Sequence, residues 1–293
     1  MTAIAMDGKA LAGAVESQLK EEAARLVASG VQPTLATILV GNDPASKVYV
    51  ASKHKAAARV GISSRSFNLP EETPEGELRS LISTLNSDRG VNGILLQLPL
   101  PPHLHELDMI EAMDPDKDVD GLTTTNAGRL VYGQTDLTPC TPRGIMELLH
   151  HYDVPIRASR AVIINRSTLV GKPLHNLLLN EDATVTVCHS KSRDLPSLTR
   201  EADILVTAVG RRPQFVVGAD MVKEGVVVID VAMNRIDGRL LGDVEYEEVS
   251  KKASHITPVP GGVGPMTVVM LMKNTLLATG KQNRLLVSSV PQR

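Results

Sequence analysis

Apolar residues recur at helical spacing from Leu11 through Val15, Leu19 and Leu26 until Gly30 ends the pattern, which predicts a first amphipathic helix. The run Leu35 to Val40 is almost continuously apolar and reads as a buried strand. Gly41-Asn42 then turns the chain, and Asp43 as cap with Pro44 at the first position opens a second helix that should stop at Gly61. A short strand over Ser64 to Leu69 and a helix over Pro74 to Asn86 follow, with Leu78, Leu81, Ile82 and Leu85 inward. Gly93 to Leu98 reads as a strand that is apolar on both faces until Gln97 appears near its carboxyl end. The prolines at 99, 101 and 102 forbid continuation.

From Thr123 to Thr141 the periodicity fades, so the connection between two domains is expected there. Pro142 then starts a helix through Ile145, Leu148 and Leu149. Strands over Ala161 to Ile164, Thr184 to Cys188, Ile204 to Val209 and Val226 to Val231, with a helix over Pro173 to Leu179, form an alternating series. Such alternation predicts an α/β fold with parallel sheets and right-handed crossovers. An apolar helix runs from Val268 to Leu277, and the tail from Lys281 to Arg293 carries no pattern that predicts order. The 293 residues suffice for two domains of ordinary size.

Composition works mainly by exclusion. Hydrophobic residues make up 42% and charged residues 22%, and 31 basic residues are offset by 33 acidic ones. Without a long basic run, neither nucleic acid nor a membrane surface is an expected partner. No apolar run approaches a membrane span and Met1 to Gly13 lacks a basic-then-apolar leader, so a cytoplasmic protein is expected. Cys140 and Cys188 are too few and too far apart for a metal cluster or disulfide framework. The acidic loop Asp114 to Gly121 does not follow calcium-loop spacing, so it reads as a solvated turn or helix cap, and no metal is expected. There is no tryptophan and only two phenylalanines, so a flat ligand must stack on one of four tyrosines or on aliphatic surface.

Candidate chemistry begins on the second helix. Tyr49 and Lys53, four residues apart, share one helical face about 6 Å apart along the axis. That spacing fits a stacking ring beside a proton carrier, but on spacing alone an exposed helix with a solvated lysine is the commoner outcome. Gln97 stands where parallel sheets gather ligands, although its amide could serve a loop backbone instead. Directly after the Ala161 strand, Asn165 to Gly171 occupies the place of a dinucleotide-binding turn. Asn165 replaces the expected first glycine, and asparagine tolerates the left-handed backbone such a turn needs. The next strand ends in Cys188-His189-Ser190-Lys191-Ser192-Arg193, with no carboxylate for ribose hydroxyls. Together with Arg166, those hydroxyls and cations suit the 2′-phosphate of NADP better than NAD.

Near the end, Pro258-Val259-Pro260-Gly261-Gly262-Val263-Gly264-Pro265-Met266-Thr267 makes a rigid turn that lets a ligand approach the backbone. This stretch, with Tyr49 to Lys53, Gln97-Leu98-Pro99-Leu100-Pro101, Asp116 to Gly121, Pro139 to Pro142 and Asp230-Val231, resembles the bifunctional methylenetetrahydrofolate dehydrogenase/methenyltetrahydrofolate cyclohydrolase family over essentially the whole chain. The resemblance implies two α/β domains with a folate cleft between them. One is an N-terminal catalytic domain with a parallel sheet, residues 1–139 plus 267–293, and the other is a Rossmann-like NADP-binding domain, residues 140–266. It also implies a homodimer and a place in one-carbon metabolism and purine biosynthesis.

Carried over by position, Lys53 would be the main catalytic group, Gln97 its partner, Tyr49 the stacking ring and Asp120 the anchor of the pterin's donor edge. Pro260 and Gly261 would also contact substrate. Asn165, Arg166, Ser167, Ser190 and Met233 fall at the NADP-contacting places. The implied activity is NADP-dependent oxidation of 5,10-methylenetetrahydrofolate followed by hydrolysis of the methenyl product to 10-formyltetrahydrofolate, with neutral Lys53 as the base. Two departures, Asn165 and Ala232 where the family usually has glycine, lie on the nucleotide side. They keep open a nucleotide-binding module that has lost catalysis, while the domain layout alone also suits a dehydrogenase of another small substrate.

Overall fold

The computed structural model describes residues 3–134, 136–285 and 287. In chain order the elements begin with β1 (Ile4–Ala5), α1 (Gly8–Ala28), β2 (Thr34–Val40), α2 (Pro44–Val60), β3 (Ser63–Leu69), α3 (Glu75–Ser87) and β4 (Gly93–Leu96). Then come α4 (Glu106–Glu111), α5 (Thr124–Val131), α6 (Cys140–His151), β5 (Arg160–Ile164), α7 (Gly171–Asn180), β6 (Thr184–Cys188), α8 (Leu195–Arg200) and β7 (Ile204–Thr207). After a 3₁₀ turn at Ala219–Met221 the chain ends with β8 (Val227–Asp230), β9 (Asn234–Ile236), β10 (Arg239–Leu241), α9 (Tyr246–Val249), β11 (His255–Ile256) and α10 (Val263–Gln282). Beyond Gln282, most of the tail lies outside the described residues.

The chain divides into two compact units, Ala14–Cys140 with Val268–Arg293 and Met1–Gly13 with Thr141–Thr267. The first holds a parallel sheet in the order β3-β2-β4. Its central strand, β2, is buried throughout, and side-chain alternation gives it two jobs. Ala36, Ile38 and Val40 pack with Leu78, Ile82 and Leu85 of α3 and with Ile94 and Leu96 of β4. The alternate positions Leu35, Thr37 and Leu39 therefore point to the opposite face, on the side of α2. That helix starts as its cap residues predict: the Asp43 carboxylate accepts from Ser46 N at 2.7 Å, Pro44 sits in the first turn, and Gly61 closes the end.

The second unit carries a six-stranded parallel sheet in the order β1-β11-β8-β7-β5-β6. Here β6 flanks β5 on one side and β7 on the other, so the strand order reverses at β5. A reversal of this kind opens a crevice at the carboxyl ends of the strands on either side of it. Residues 1–13 group with this unit because Ile4 and Ala5 pair with His255 and Ile256.

Two stretches depart from the expected pattern. The segment after Thr123 is no plain connection, since α5 lies within it. Its helix is anchored by polar groups: Thr123 Oγ1 accepts from Asn126 N, and Asp118 Oδ2 accepts from Thr123 N at 2.8 Å and Asn126 Nδ2 at 3.0 Å. Apolar periodicity cannot reveal a helix held this way, and Gly128 with three threonines obscures it further. The acidic loop 114–121 is likewise packed. Lys117 is buried and donates to Leu85 O at 2.9 Å and Asp88 O at 2.7 Å, while Asp118 is fully buried.

Candidate active site

The α2 helix presents Tyr49 and Lys53 on one flank, as their spacing predicts. Tyr49 is 43% exposed and Lys53 half-buried. From there Lys53 Nζ donates to Gln97 Oε1 at 3.0 Å. Gln97 follows β4 directly, its backbone N–H held by Ile38 O of β2 at 2.9 Å. Its amide nitrogen donates to Leu98 O at 2.6 Å. One end of the amide thus serves a loop carbonyl, as the loop-backbone reading expects, and the other holds the lysine.

Asp120 reaches the same end of the sheet by a different route. Ile94 of β4 forms a parallel bridge with Asp118 and its N–H donates to Lys117 O at 2.7 Å, so loop 114–121 runs beside the strand toward its carboxyl end. The fully buried Asn274 of α10 fixes this path by donating to Val119 O and Thr138 O, each at 2.8 Å. Asp116 adds ion pairs to Lys281 at 2.7 Å and Arg129 at 3.1 Å. Half-buried Asp120 stands next to Val119, whose carbonyl accepts from both Asn274 Nδ2 and Cys140 Sγ, and among the described residues the Asp120 carboxylate has no hydrogen-bond partner. A ring, an amine, an amide and a carboxylate therefore belong to the carboxyl-end region of one parallel sheet, where such folds bind ligands.

Pro260 and Gly261 belong to the other unit, in the turn before α10. That turn docks on the start of α1: Lys9 N donates to Gly261 O at 2.9 Å, and a Cβ on Gly8 would lie 1.9 Å from Gly262 O. Only glycine at position 8 permits the approach.

The turn after β5 lies at the strand-order reversal, but Asn165 is not in the left-handed conformation expected for it. It works instead through its amide. Nδ2 donates to Ala208 O at 2.7 Å, tying the ends of β5 and β7, while Oδ1 accepts from Ser167 N and Ser167 Oγ at 2.7 Å each and from Gly171 N at 3.0 Å. Two backbone N–H groups of the turn are thus satisfied within the protein. A Cβ on Gly171 would lie 2.1 Å from Asn165 O, so glycine lets α7 begin directly against the strand end. The first turn of α7 spends its own donors inside the protein, Gly171 N on Asn165 Oδ1, Lys172 N on Ser167 O and Leu174 N on Val170 O, while Pro173 has none. The groups suited to an anionic nucleotide here are therefore side chains, exposed Arg166 beside the helix start and exposed Ser190 after β6. Met233, after β8, is 48% exposed.

Several residues that shape these sites carry little signal in the sequence. Asp230, at the end of β8, accepts from Ala232 N, Asp243 N and Val244 N at 2.9 to 3.1 Å. Burial pushes its carboxyl up to about 6, and the neighbouring Asp243 adds to the rise. Asp243 in turn accepts from Thr207 Oγ1, Val209 N and Gly210 N, which organises the end of β7. The readable sign of such residues is a polar group inside an apolar run, alone as with Thr37 in β2, or in a short cluster as with Lys273-Asn274-Thr275 in α10.

Comparison with known proteins bears on both units. Residues 6–120 match the catalytic domain of the tetrahydrofolate dehydrogenase/cyclohydrolase family, and residues 139–283 match its NAD(P)-binding domain. The Bifunctional protein FolD of Cenarchaeum symbiosum (strain A) is 56% identical over 273 residues, covering 93% of this chain and 97% of its own. The crystal structure of the bifunctional enzyme FolD, methylenetetrahydrofolate dehydrogenase/cyclohydrolase, from Campylobacter jejuni superposes with a TM-score of 0.93 at 47% identity, covering 97% of this chain and all of that one. The Trypanosoma brucei methylenetetrahydrofolate dehydrogenase-cyclohydrolase, crystallised with NADP cofactor and an inhibitor, gives 0.91 at 39% identity over 97% and 99% of the two chains. With more than half its residues shared with a full-length relative and both domains matched in order, this chain belongs to the tetrahydrofolate dehydrogenase/cyclohydrolase family.

Proposed function

We propose that the protein oxidises 5,10-methylenetetrahydrofolate with NADP and hydrolyses the resulting 5,10-methenyl compound to 10-formyltetrahydrofolate. The observation that carries the reading is the Lys53 Nζ to Gln97 Oε1 bond at the carboxyl end of a parallel sheet, in a chain whose family performs this pair of reactions. Bound NADP supplies the hydride acceptor, so for the first step the protein's task is to orient substrate. Tyr49 covers the flat face and Asp120 accepts from the pterin's donor edge. Pro260 and Gly261 are assigned to the substrate on family resemblance.

In the second step water adds to the methenyl carbon and Lys53 takes the water's proton. Gln97 Oε1 holds the lysine in place. The carbinol then collapses: its O–H proton passes to N5 as the carbon–N5 bond breaks, leaving the formyl group on N10, and Lys53 returns its proton to solvent. Overall one proton is released for each water consumed.

Asn165, Arg166, Ser167, Ser190 and Met233 form the proposed NADP contacts, with residues 140–266 as the nucleotide domain and residues 1–139 plus 267–293 as the folate domain, except that residues 1–13 go with the nucleotide unit, to whose sheet Ile4 and Ala5 pair. A homodimer and a cytoplasmic location complete the proposal. Family resemblance supports the first, and among the described residues no helix is long and apolar enough to cross a membrane. The test is a single reaction containing methylenetetrahydrofolate and NADP. NADPH and 10-formyltetrahydrofolate should rise in equal amounts with methenyltetrahydrofolate as the transient. Nucleotide binding without turnover, or turnover confined to another small substrate, would overturn the assignment.

A further inference from the structure

Thr37 is out of character with its strand. It is 1% exposed, in the middle of a buried apolar run, so its hydroxyl needs a partner inside the protein. That partner is His54, whose Nε2 lies 2.7 Å from Thr37 Oγ1. The hydroxyl also reaches Arg65 O of β3 at 3.5 Å.

His54 directly follows Lys53, and consecutive helical residues point about 100° apart. The two side chains therefore leave α2 on different sides, Lys53 toward Gln97 beyond β4 and His54 down onto central β2. Ile38, the residue after Thr37, carries the carbonyl that holds the Gln97 backbone. Two neighbouring residues of one buried strand thus fix both partners of the Lys53–Gln97 pair: Thr37 holds the helix through His54, and Ile38 holds the amide.

We infer that His54, bonded to Thr37, is a positioning residue for Lys53, setting the placement of α2 at which the amine meets Gln97. The inference rests on the proposed role of Lys53 as the base. Apolar contacts of Val50, Ala57 and Val60 hold α2 against the sheet, but they are non-directional and tolerate small slides and rotations. A hydrogen bond between fixed atoms does not. Burial lowers the proton affinity of His54, and the contact suits either charge state. The neutral ring can accept the threonine proton, while a charged ring donates to Oγ1 and leaves the hydroxyl proton for Arg65 O. The ring also lines an open hollow of about 440 Å³ with Lys47 and Asn68, so replacing it opens no sealed core cavity.

The test compares T37V, T37S, H54A and H54Q for both activities, alone and in a K53Q background. T37V and H54A should lower kcat for hydrolysis of methenyltetrahydrofolate on the order of tenfold to a hundredfold, the effect of a small misplacement of a reacting group. Folate KM should stay within about threefold and dehydrogenase kcat should change much less. T37S, which keeps the hydroxyl, should restore most of the rate. In the K53Q background T37V should have no further effect on residual hydrolysis, because its influence runs through the lysine. Equal losses in both activities that follow thermal stability, or a full T37V effect without Lys53, would overturn the positioning role. If K53Q alone hydrolyses at the normal rate, the base assignment fails first, visible before any Thr37 variant is considered.

Discussion

The Asp230 carboxyl gives a prediction whose sign tests the electrostatics of the nucleotide unit. The residue is 3% exposed, and burial, reinforced by Asp243, pushes it up to about 6 against an unperturbed 3.8. The gap is about two pH units at about 1.4 kcal/mol each, or about 3 kcal/mol in all. Between pH 4 and 6 the unfolded chain has already lost this proton while the folded protein keeps it. Stability from this group is therefore full below pH 4, falls as pH rises to about 6, and stays at its lower level above that. Comparing urea unfolding of the wild type and D230N across pH 4 to 7 isolates the effect, since other titrating groups cancel in the difference. The variant cannot ionise, so its stability relative to wild type should rise by about 3 kcal/mol over that range, whatever the constant cost of placing an amide against three backbone N–H donors. A difference that is flat, or that falls with pH, would show that those three donors hold the carboxylate ionised and would refute the reasoning.

Two further predictions concern the sites. R166A should lower kcat/KM with NADP on the order of tenfold to a hundredfold and leave the NAD value within about threefold, because a charge-assisted bond to phosphate is lost only with the phosphorylated nucleotide; steady-state kinetics with both nucleotides decides it. N274L should cost about 2 to 4 kcal/mol in chemical unfolding, since it strands the buried carbonyls of Val119 and Thr138, and should raise folate KM by loosening the path to Asp120; unchanged KM would separate Asn274 from the site.

What could be read from the chain follows from how each part is held. The α2 helix was legible because its start is local chemistry, a carboxylate cap followed by proline, and so Tyr49 and Lys53 fell on one flank as expected. The sheet strands were legible because burial on both faces makes them apolar runs. The helix α5 was hidden because its anchors, Asp118 and Asn126, are polar and its apolar face is nearly absent. The same holds for the β9–β10 hairpin, whose Asp237-Gly238 turn joins strands of only three residues. At the nucleotide turn, asparagine was expected to supply backbone freedom, whereas it supplies hydrogen bonds in place of it. Long-range pairs such as Lys53 with Gln97, or His54 with Thr37, depend on strand order, which a residue pattern does not encode.

Whether Lys53 performs the water step is decided by supplying methenyltetrahydrofolate to K53Q and following its hydrolysis beside its binding. The rate should fall by about 10² to 10⁴, the usual contribution of a positioned base, with the dissociation constant of the folate within a few-fold of wild type. Hydrolysis at the wild-type rate, or a loss accounted for entirely by weaker folate binding, would contradict that role.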